Sequence, residues 1–279
     1  MLEGRLANRV ALISGVARGQ GRSHAVRLAS EGAHIIGFDL PGASPHTGYP
    51  MATKEDLAET VRMVEAAGGR IVAGAADVRD ASAVQAVVDR GIEVLGPVHV
   101  VVANAGIISP GKPFWKISEE QWNDVIDVNL TGVWRTVKSA IPSMLAAGKG
   151  GSIILVASAA AQRGPMGIAD YISAKSGLLG MMRTMARELA RHDIRVNSIL
   201  PGNVNTDLIH NDAMYRQFRP ELENPTIDDV EPLFRRTMLL RRPWAEVDDI
   251  SNAVAFLASD EARNITSVEL PVDLGGILK

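Results

Sequence analysis

The sequence predicts an α/β protein: a doubly wound, parallel seven-stranded sheet with helices on both faces. Two observations carry this. Short apolar runs bounded by turn residues alternate with helical segments in one continuous series. The runs are apolar on both faces, the pattern of strands buried between two layers of helices. No linker of domain-boundary character interrupts the series, so residues 1–279 read as a single domain.

The first strand is Val10-Ala11-Leu12-Ile13, followed by a glycine-rich turn and a helix over about 21–30. Glu31-Gly32 ends that helix, and His34-Ile35-Ile36-Gly37-Phe38 is the second strand, completing a strand–turn–helix–strand unit. Residues 54–67 form the next helix, with Thr53 as N-cap and Gly68-Gly69 as the stop. Strands over 71–75, 98–103, 151–156, 195–200 and 268–272 follow. The helices between and after them cover 81–95, one long or broken stretch from 119 to about 147, 171–190 and 246–258.

Two segments break the rhythm. Residues 41–51 are irregular, with Gly42, Pro45, Gly48 and Pro50, and lie beside the carboxyl end of the second strand. Residues 209–243 carry Pro220, Pro225, Pro232 and Pro243 and are far longer than the usual connection of about 4–6 residues. They follow a late strand, near the sheet edge where ligands bind in open α/β folds. This segment reads as a substrate lid, or alternatively as a peripheral or oligomer-contact helix pair.

Composition limits the function. Apolar residues make up 46% and charged residues 22%, an ordinary globular balance. With 29 Lys and Arg against 32 Asp and Glu, no basic excess exists to grip nucleic acid. Cysteine is absent, which excludes disulfides, thiolate nucleophiles and zinc–thiolate sites. The six histidines show no ligand spacing, so no metal is expected. Met1-Leu2-Glu3-Gly4-Arg5-Leu6 does not read as a secretory leader, and no apolar run reaches the ~20 residues of a membrane helix. A cytoplasmic protein is the expectation.

The turn Ser14-Gly15-Val16-Ala17-Arg18-Gly19-Gln20-Gly21 spaces its glycines G-x-x-x-G-x-G. Glycine permits unusual φ and ψ, and its missing Cβ lets the backbone approach a pyrophosphate. The following helix would then present its first amides to that negative charge. A tight turn without a ligand is the alternative. Asp39 ends the second strand, where a carboxylate can accept bonds from both hydroxyls of an adenosine ribose and repel the extra phosphate of NADP. Arg18 could instead neutralise such a phosphate, but Asp39 favours NAD. A solvated strand-end aspartate is the plainer reading. Asp77-Val78 follows the third strand and could accept the adenine amino hydrogen. Asn104-Ala105-Gly106 follows the fourth, with small residues that let the backbone pass a ribose and Asn104 pinning adjacent strands.

Tyr171-Ile172-Ser173-Ala174-Lys175 places a phenol and an ammonium four residues apart on one helix face. A phenol of ordinary pKa near 10 is a poor base, and a neighbouring ammonium lowers that value. The pair could then exchange a proton with an alcohol or carbonyl oxygen. By itself such a pair is more often a surface feature. Ser158, at the end of the strand Ile153-Ile154-Leu155-Val156, changes that: its hydroxyl could orient a substrate oxygen and stabilise its developing charge. Asn129 lies in a helix, where it costs propensity. It could hold a water that relays protons to Lys175, or mark a buried helix bend, or both.

These residues carry a resemblance to the short-chain dehydrogenase/reductase family. Gly15/Gly19/Gly21, Asp39, Asp77, Asn104-Ala105-Gly106, Asn129, Ser158, Tyr171, Lys175, Pro201-Gly202 and Thr206 match its pattern in order and spacing over nearly the whole chain. The resemblance implies a Rossmann-type sheet and hydride exchange between nicotinamide and an alcohol or carbonyl. It implies Tyr171 as acid/base, Lys175 on the nicotinamide ribose, Ser158 on the substrate and Asn129 in the proton relay. The cofactor set becomes Gly15, Arg18, Gly19, Gln20, Gly21, Asp39, Leu40, Asp77, Val78, Asn104, Ala105, Gly106, Tyr171, Lys175, Pro201, Gly202, Val204 and Thr206. A homotetramer is implied too.

A narrower resemblance is to the mycofactocin-coupled, carveol-dehydrogenase-like group. It rests on 19–25, Asn129-Leu130-Thr131-Gly132-Val133-Trp134, Phe218-Arg219-Pro220, 249–254, 256–263 and the insertion after Asp39. That group is actinobacterial and acts on terpenoid or similar secondary alcohols. Its resemblance implies tightly held NAD and an external redox carrier as partner, with the insertion covering the adenosine end. Ser14, Ala157, Ser176 and Ser267 depart from the common pattern without removing a catalytic group. Rival readings are an acyl-carrier, sugar or steroid reductase of the same family, and a non-catalytic dinucleotide-binding protein. Substrate walls are expected after Ser158, after Pro201 and within 209–243, with Met166, Met214, Phe218, Leu222 and Trp244 as candidate contacts.

Overall fold

The computed structural model describes residues 4–42 and 46–279. The first three residues, part of the leader reading, and residues 43–45, which include Pro45 of the irregular insertion, lie outside the described set.

Among the described residues, seven parallel strands form one sheet in the order β3-β2-β1-β4-β5-β6-β7. They are β1 (Val10–Ser14), β2 (His34–Asp39), β3 (Ile71–Ala75), β4 (Val100–Ala103), β5 (Gly151–Val156), β6 (Ile194–Pro201) and β7 (Glu269–Val272). This is the expected Rossmann-type arrangement. The order reverses between β1 and β4, opening a crevice at their carboxyl ends where ligands bind in such sheets. Among the described residues, ten α-helices accompany the strands: α1 (Gly19–Ser30), α2 (Lys54–Ala66), α3 (Ala81–Leu95), α4 (Glu119–Ile126), α5 (Gly132–Ala147), α6 (Ala160–Arg163), α7 (Ala169–Leu189), α8 (Asp212–Phe218), α9 (Ile227–Arg236) and α10 (Val247–Ala258).

Side chains alternate across each strand, so each face builds its own core. Leu12, Ile36, Val101, Ile153 and Val196 face one layer with Val84, Val137 and Leu178 of α3, α5 and α7. Ala11, Ile13, Ile35, Val102 and Ile199 face the other with Leu28 of α1 and Ile250 of α10.

Local chemistry sets the helix ends. Thr53 and Asp56 form a reciprocal capping box on α2. Asp80 caps α3 by accepting from the Ser82 and Ala83 amides. The stretch from 119 to 147 is broken rather than continuous: a π-helical turn over Asp127–Thr131 separates α4 from α5. Helix α7 starts at Ala169, two residues before the expected start at Tyr171, with Asp170 in its first turn.

Among the described residues no helix is long and apolar enough to cross a membrane. Among them, too, no group of His, Cys, Asp and Glu could hold a metal ion.

Candidate active site

The glycine turn is a cradle that side chains would fill. Gly15 has φ +70° and a Cβ there would lie 2.8 Å from the Ala105 Cα. At Gly21 a Cβ would meet the Gly15 carbonyl oxygen at 1.9 Å. The turn is locked to the end of β4: the Ser14 hydroxyl accepts from the Asn104 and Ala105 amides, each at 3.1 Å. Asn104 Nδ2 donates to the Ser14 and Gly15 carbonyls at 3.1 and 3.2 Å, the pinning expected of it. Gln20 lines the cleft, and its Oε1 is buried and without a partner. An unmet acceptor beside a bare backbone cradle fits a bound polar group.

Asp39 stands at the rim of the same cleft. Its Oδ2 accepts from the Ala17 amide and its Oδ1 from the Leu40 amide, both at 2.8 Å. Burial raises its pKa against the pull of those amides and of Arg18. Leu40 thus holds Asp39 through its backbone. Arg18 is not free to meet a phosphate: it pairs with Asp207 at 2.9 Å and donates to the Pro50 carbonyl at 2.5 Å. Asp77 is held by its neighbour Arg79 through both carboxylate oxygens, and Arg79 also pairs with Asp124. Val78 is buried against the helix start at Gly132, where a Cβ would press on it at 2.7 Å.

The second half of the cleft is lined by Gln20, Gly106, Ser158, Tyr171, Lys175, Pro201, Gly202, Val204 and Thr206. It therefore gathers the chemical residues from β4, β5, α7 and β6 at one sheet edge. Gly202 lies so close to Asp273 that a Cβ would sit 2.9 Å from its Cα. Val204 bridges to Ala245, and Thr206 donates to the Val204 carbonyl at 3.2 Å.

Tyr171 hydrogen-bonds Ser158, and burial still raises the phenol above its ordinary value. The sequence expectation was a lowering by Lys175. The difference has a physical cause: the phenol's own burial disfavours the phenolate and outweighs the bond to Ser158. Lys175 is buried as well, which pushes its ammonium down to about 8. Lys175 Nζ donates to the Val156 carbonyl at 2.7 Å and lies 5.8 Å from the centre of the Tyr171 ring. Asn129, fully buried in the π turn, accepts from the Ile107 amide at 2.8 Å and donates to the Ile107 carbonyl at 2.7 Å. Both side-chain groups thus hold that loop residue, an arrangement compatible with the buried-bend and the relay readings alike.

Sequence reasoning missed Tyr49. The insertion, expected beside the adenosine end, lines the cleft of Asp39 through Tyr49 and Met51 and also runs on to the cluster around Tyr171. Tyr49 is buried with Ile108 and Ile168, in contact with a cluster that includes Tyr171, Leu208 and Met214. Its hydroxyl accepts from the Ile108 amide, and burial pushes it up to about 12. Of the candidate substrate contacts, Met214 joins this cluster and Trp244 packs into the core of residues 209–243. Phe218 stacks edge-on against Phe234 at 4.8 Å, Leu222 is half-buried, and Met166 is almost wholly exposed.

Residues 15–276 match the family model described as enoyl-(acyl carrier protein) reductase. The chain is 48% identical to (-)-trans-carveol dehydrogenase of Rhodococcus erythropolis over 275 residues, 99% of each protein. Its structure superposes on the crystal structure of carveol dehydrogenase from Mycobacterium avium in complex with NAD with a TM-score of 0.97. That pair is 51% identical, and the match covers 99% of this chain and 100% of that one. A short chain dehydrogenase from Mycobacterium paratuberculosis bound to NAD matches with a TM-score of 0.90 and 42% identity, covering 99% and 100%. Fold, site geometry and full-length similarity agree: the chain belongs to the short-chain dehydrogenase/reductase family.

Proposed function

We propose that this protein is an NAD-dependent dehydrogenase that interconverts a secondary alcohol and its ketone, with Tyr171 as the acid/base. The observation that carries this reading is the meeting of Tyr171, Ser158 and Lys175 in a cleft that adjoins the glycine cradle, with Gln20, Asn104 and Gly106 lining both parts. When bound, NAD supplies the acceptor for the hydride leaving the carbinol carbon. Ser158 and Tyr171 bind the substrate oxygen together, and Tyr171 takes its hydroxyl proton in the oxidative direction. Lys175, held by Val156, stabilises the phenolate while its ammonium is charged. Asp39 holds the adenosine ribose and disfavours a 2′-phosphate.

The finer reading follows the carveol-dehydrogenase relatives. The substrate is a terpenoid or similar secondary alcohol, and residues 209–243 act as its lid. The mixed cluster of Tyr49, Ile108, Ile168 and Met214 supports an apolar substrate wall. The active form is a cytoplasmic homotetramer. The tie from Arg18 to Pro50 and Asp207 supports a slowly exchanging NAD whose electrons pass to an external carrier of the mycofactocin type. An alcohol panel with NAD and an artificial electron acceptor tests the reading, together with mass analysis of the ligand released from purified protein. Oxidation of cyclic secondary alcohols and release of NAD are expected. NADP in place of NAD, or activity confined to acyl-carrier thioesters, would contradict it.

A further inference from the structure

Helix α7 carries Tyr171 and Lys175, yet its N-cap residue Ile168 supplies no side-chain hydrogen bond. The first amides of a helix have no partner inside it. Asp170 meets this need from within the first turn. It is fully buried, and its Oδ1 accepts from the amide of Tyr171 at 2.8 Å. Its Oδ2 accepts from Ser109 Oγ at 2.8 Å and from Gln121 Nε2 at 3.0 Å.

The cluster closes on itself. Gln121 Nε2 also donates to Ser109 Oγ at 2.9 Å, and Gln121 Oε1 accepts from Lys112 Nζ at 2.9 Å. The Lys112 amide donates to the Gly167 carbonyl at 2.8 Å, just before α7. Three elements thus meet at one buried carboxyl: the loop after β4, helix α4 and the start of α7. A buried carboxyl is costly unless its oxygens are bonded, and here both are.

The position of these bonds matters more than their number. Asp170 holds the main chain of Tyr171 itself. Ser109 belongs to the loop that begins with Asn104-Ala105-Gly106, of which Asn104 and Gly106 line the cofactor cleft. The same loop is fixed one step earlier, where Asn129 binds both main-chain groups of Ile107. The cofactor loop and the tyrosine are therefore referenced to each other through Asp170.

We propose that Asp170, with Ser109 and Gln121, is a positioning residue for hydride transfer. The cluster sets the place of Tyr171 relative to the cofactor loop, so that phenol and Ser158 hydroxyl meet the substrate oxygen in register. The inference rests on Tyr171 as the acid/base. Misplacement of a reacting group by about 1 Å costs on the order of 10²-fold in rate, so a small tilt of α7 is enough.

The test is first-turnover hydride transfer in the NAD-loaded enzyme, using a secondary alcohol that the unaltered enzyme oxidises, with carveol as the first probe. Rates are taken per folded site, well below the melting temperature of each variant. Asp170→Ala is expected to slow transfer about 10- to 100-fold, with KM and bound NAD within about twofold. Asp170→Asn keeps an acceptor for the Tyr171 amide and is expected to recover most of the rate. Ser109→Ala removes one donor and is expected to lose about three- to tenfold.

A lowered melting temperature with an unchanged rate per site in Asp170→Ala would overturn the proposal and leave Asp170 a helix cap. If that variant does not fold, an unchanged rate in Ser109→Ala overturns it equally. Tyr171→Phe separates the two levels. If it is inactive while Asp170→Ala is normal, only the positioning role fails. If it is fully active, both readings fail together.

Discussion

The Tyr49 hydroxyl accepts a hydrogen bond from the Ile108 amide at 3.2 Å, tying the insertion after Asp39 to the loop after β4. At the next residue Arg18 reaches the Pro50 carbonyl, and it also pairs with the Asp207 carboxylate. The insertion is therefore held at two adjacent residues, Tyr49 and Pro50, which ties it to the loop after β4 and to the glycine turn.

Release of NAD should respond to these ties separately. Tyr49→Phe loses one hydrogen bond, worth about 1 kcal/mol net, so labelled NAD should exchange roughly fivefold faster. Arg18→Ala removes two ties at a part-buried site and should accelerate exchange further. Stopped-flow fluorescence of NADH displacement measures both. Unchanged release in both variants would detach the insertion from cofactor retention.

Asp39 should govern the choice of dinucleotide. Asp39→Ala removes both the ribose acceptor and the repulsion of a 2′-phosphate. Affinity for NAD should fall about tenfold, on the scale of a lost charged hydrogen bond, while NADP gains. Titration of both dinucleotides by calorimetry checks this, and a variant that still rejects NADP as strongly as before would contradict it.

The stability of the fold should carry the mark of His24. It is fully buried between α1 and α10, with Nδ1 at 2.8 Å from Ser251 Oγ and Nε2 unpartnered. Burial pushes its pKa down to about 3. Between about pH 6.5 and 3 the unfolded chain binds the proton and the folded one does not. His24 therefore contributes stability that is complete above about pH 6.5 and is lost as pH falls towards 3, at up to about 1.4 kcal/mol per pH unit. Urea unfolding at pH 7 and pH 4.5 should show the loss, and His24→Gln should flatten that slope. An equal slope in the variant would place the acid sensitivity elsewhere.

Much of the site could be read along the chain because its parts are local or strand-bound. The glycines of 15–21, Asp39 at the end of β2 and Asn104-Ala105-Gly106 at the end of β4 each follow an apolar strand, and strand ends share one sheet edge. The Tyr171/Lys175 pair was legible because four residues make one helical turn. What stayed hidden depends on contacts between distant residues. Tyr49 meets Ile108 from an insertion without periodicity, and Arg18 meets Asp207 across most of the chain. Asp170 reads in sequence as an ordinary polar residue beside the tyrosine, since nothing local announces Ser109 or Gln121 as its partners. The π turn at Asn129 likewise escapes a 3.6-residue pattern, which shows only that a helix is interrupted.

The pH response of turnover should follow Lys175. Burial lowers its pKa to about 8, so its ammonium is present below that value and lost above it. Alcohol oxidation gains from phenolate as pH rises, but above about pH 8 the stabilising charge fades. The rate of first-turnover oxidation should therefore level off or fall near there, instead of climbing to the ordinary phenol value near 10. Lys175→Ala should remove that feature and weaken NAD binding. A profile that rises smoothly through pH 10 in the unaltered enzyme would contradict this assignment.

The chemical role of Tyr171 is tested most directly by single-turnover hydride transfer in Tyr171→Phe, in enzyme shown by circular dichroism to be folded and by fluorescence to hold NAD. The substitution removes the exchangeable proton and the bond to Ser158 while keeping the ring. Folding and NAD binding should persist, and hydride transfer should fall by about 10²–10⁴, the range for lost acid/base catalysis. Near-normal transfer across the neutral pH range would contradict the account and return Tyr171 to a structural helix residue.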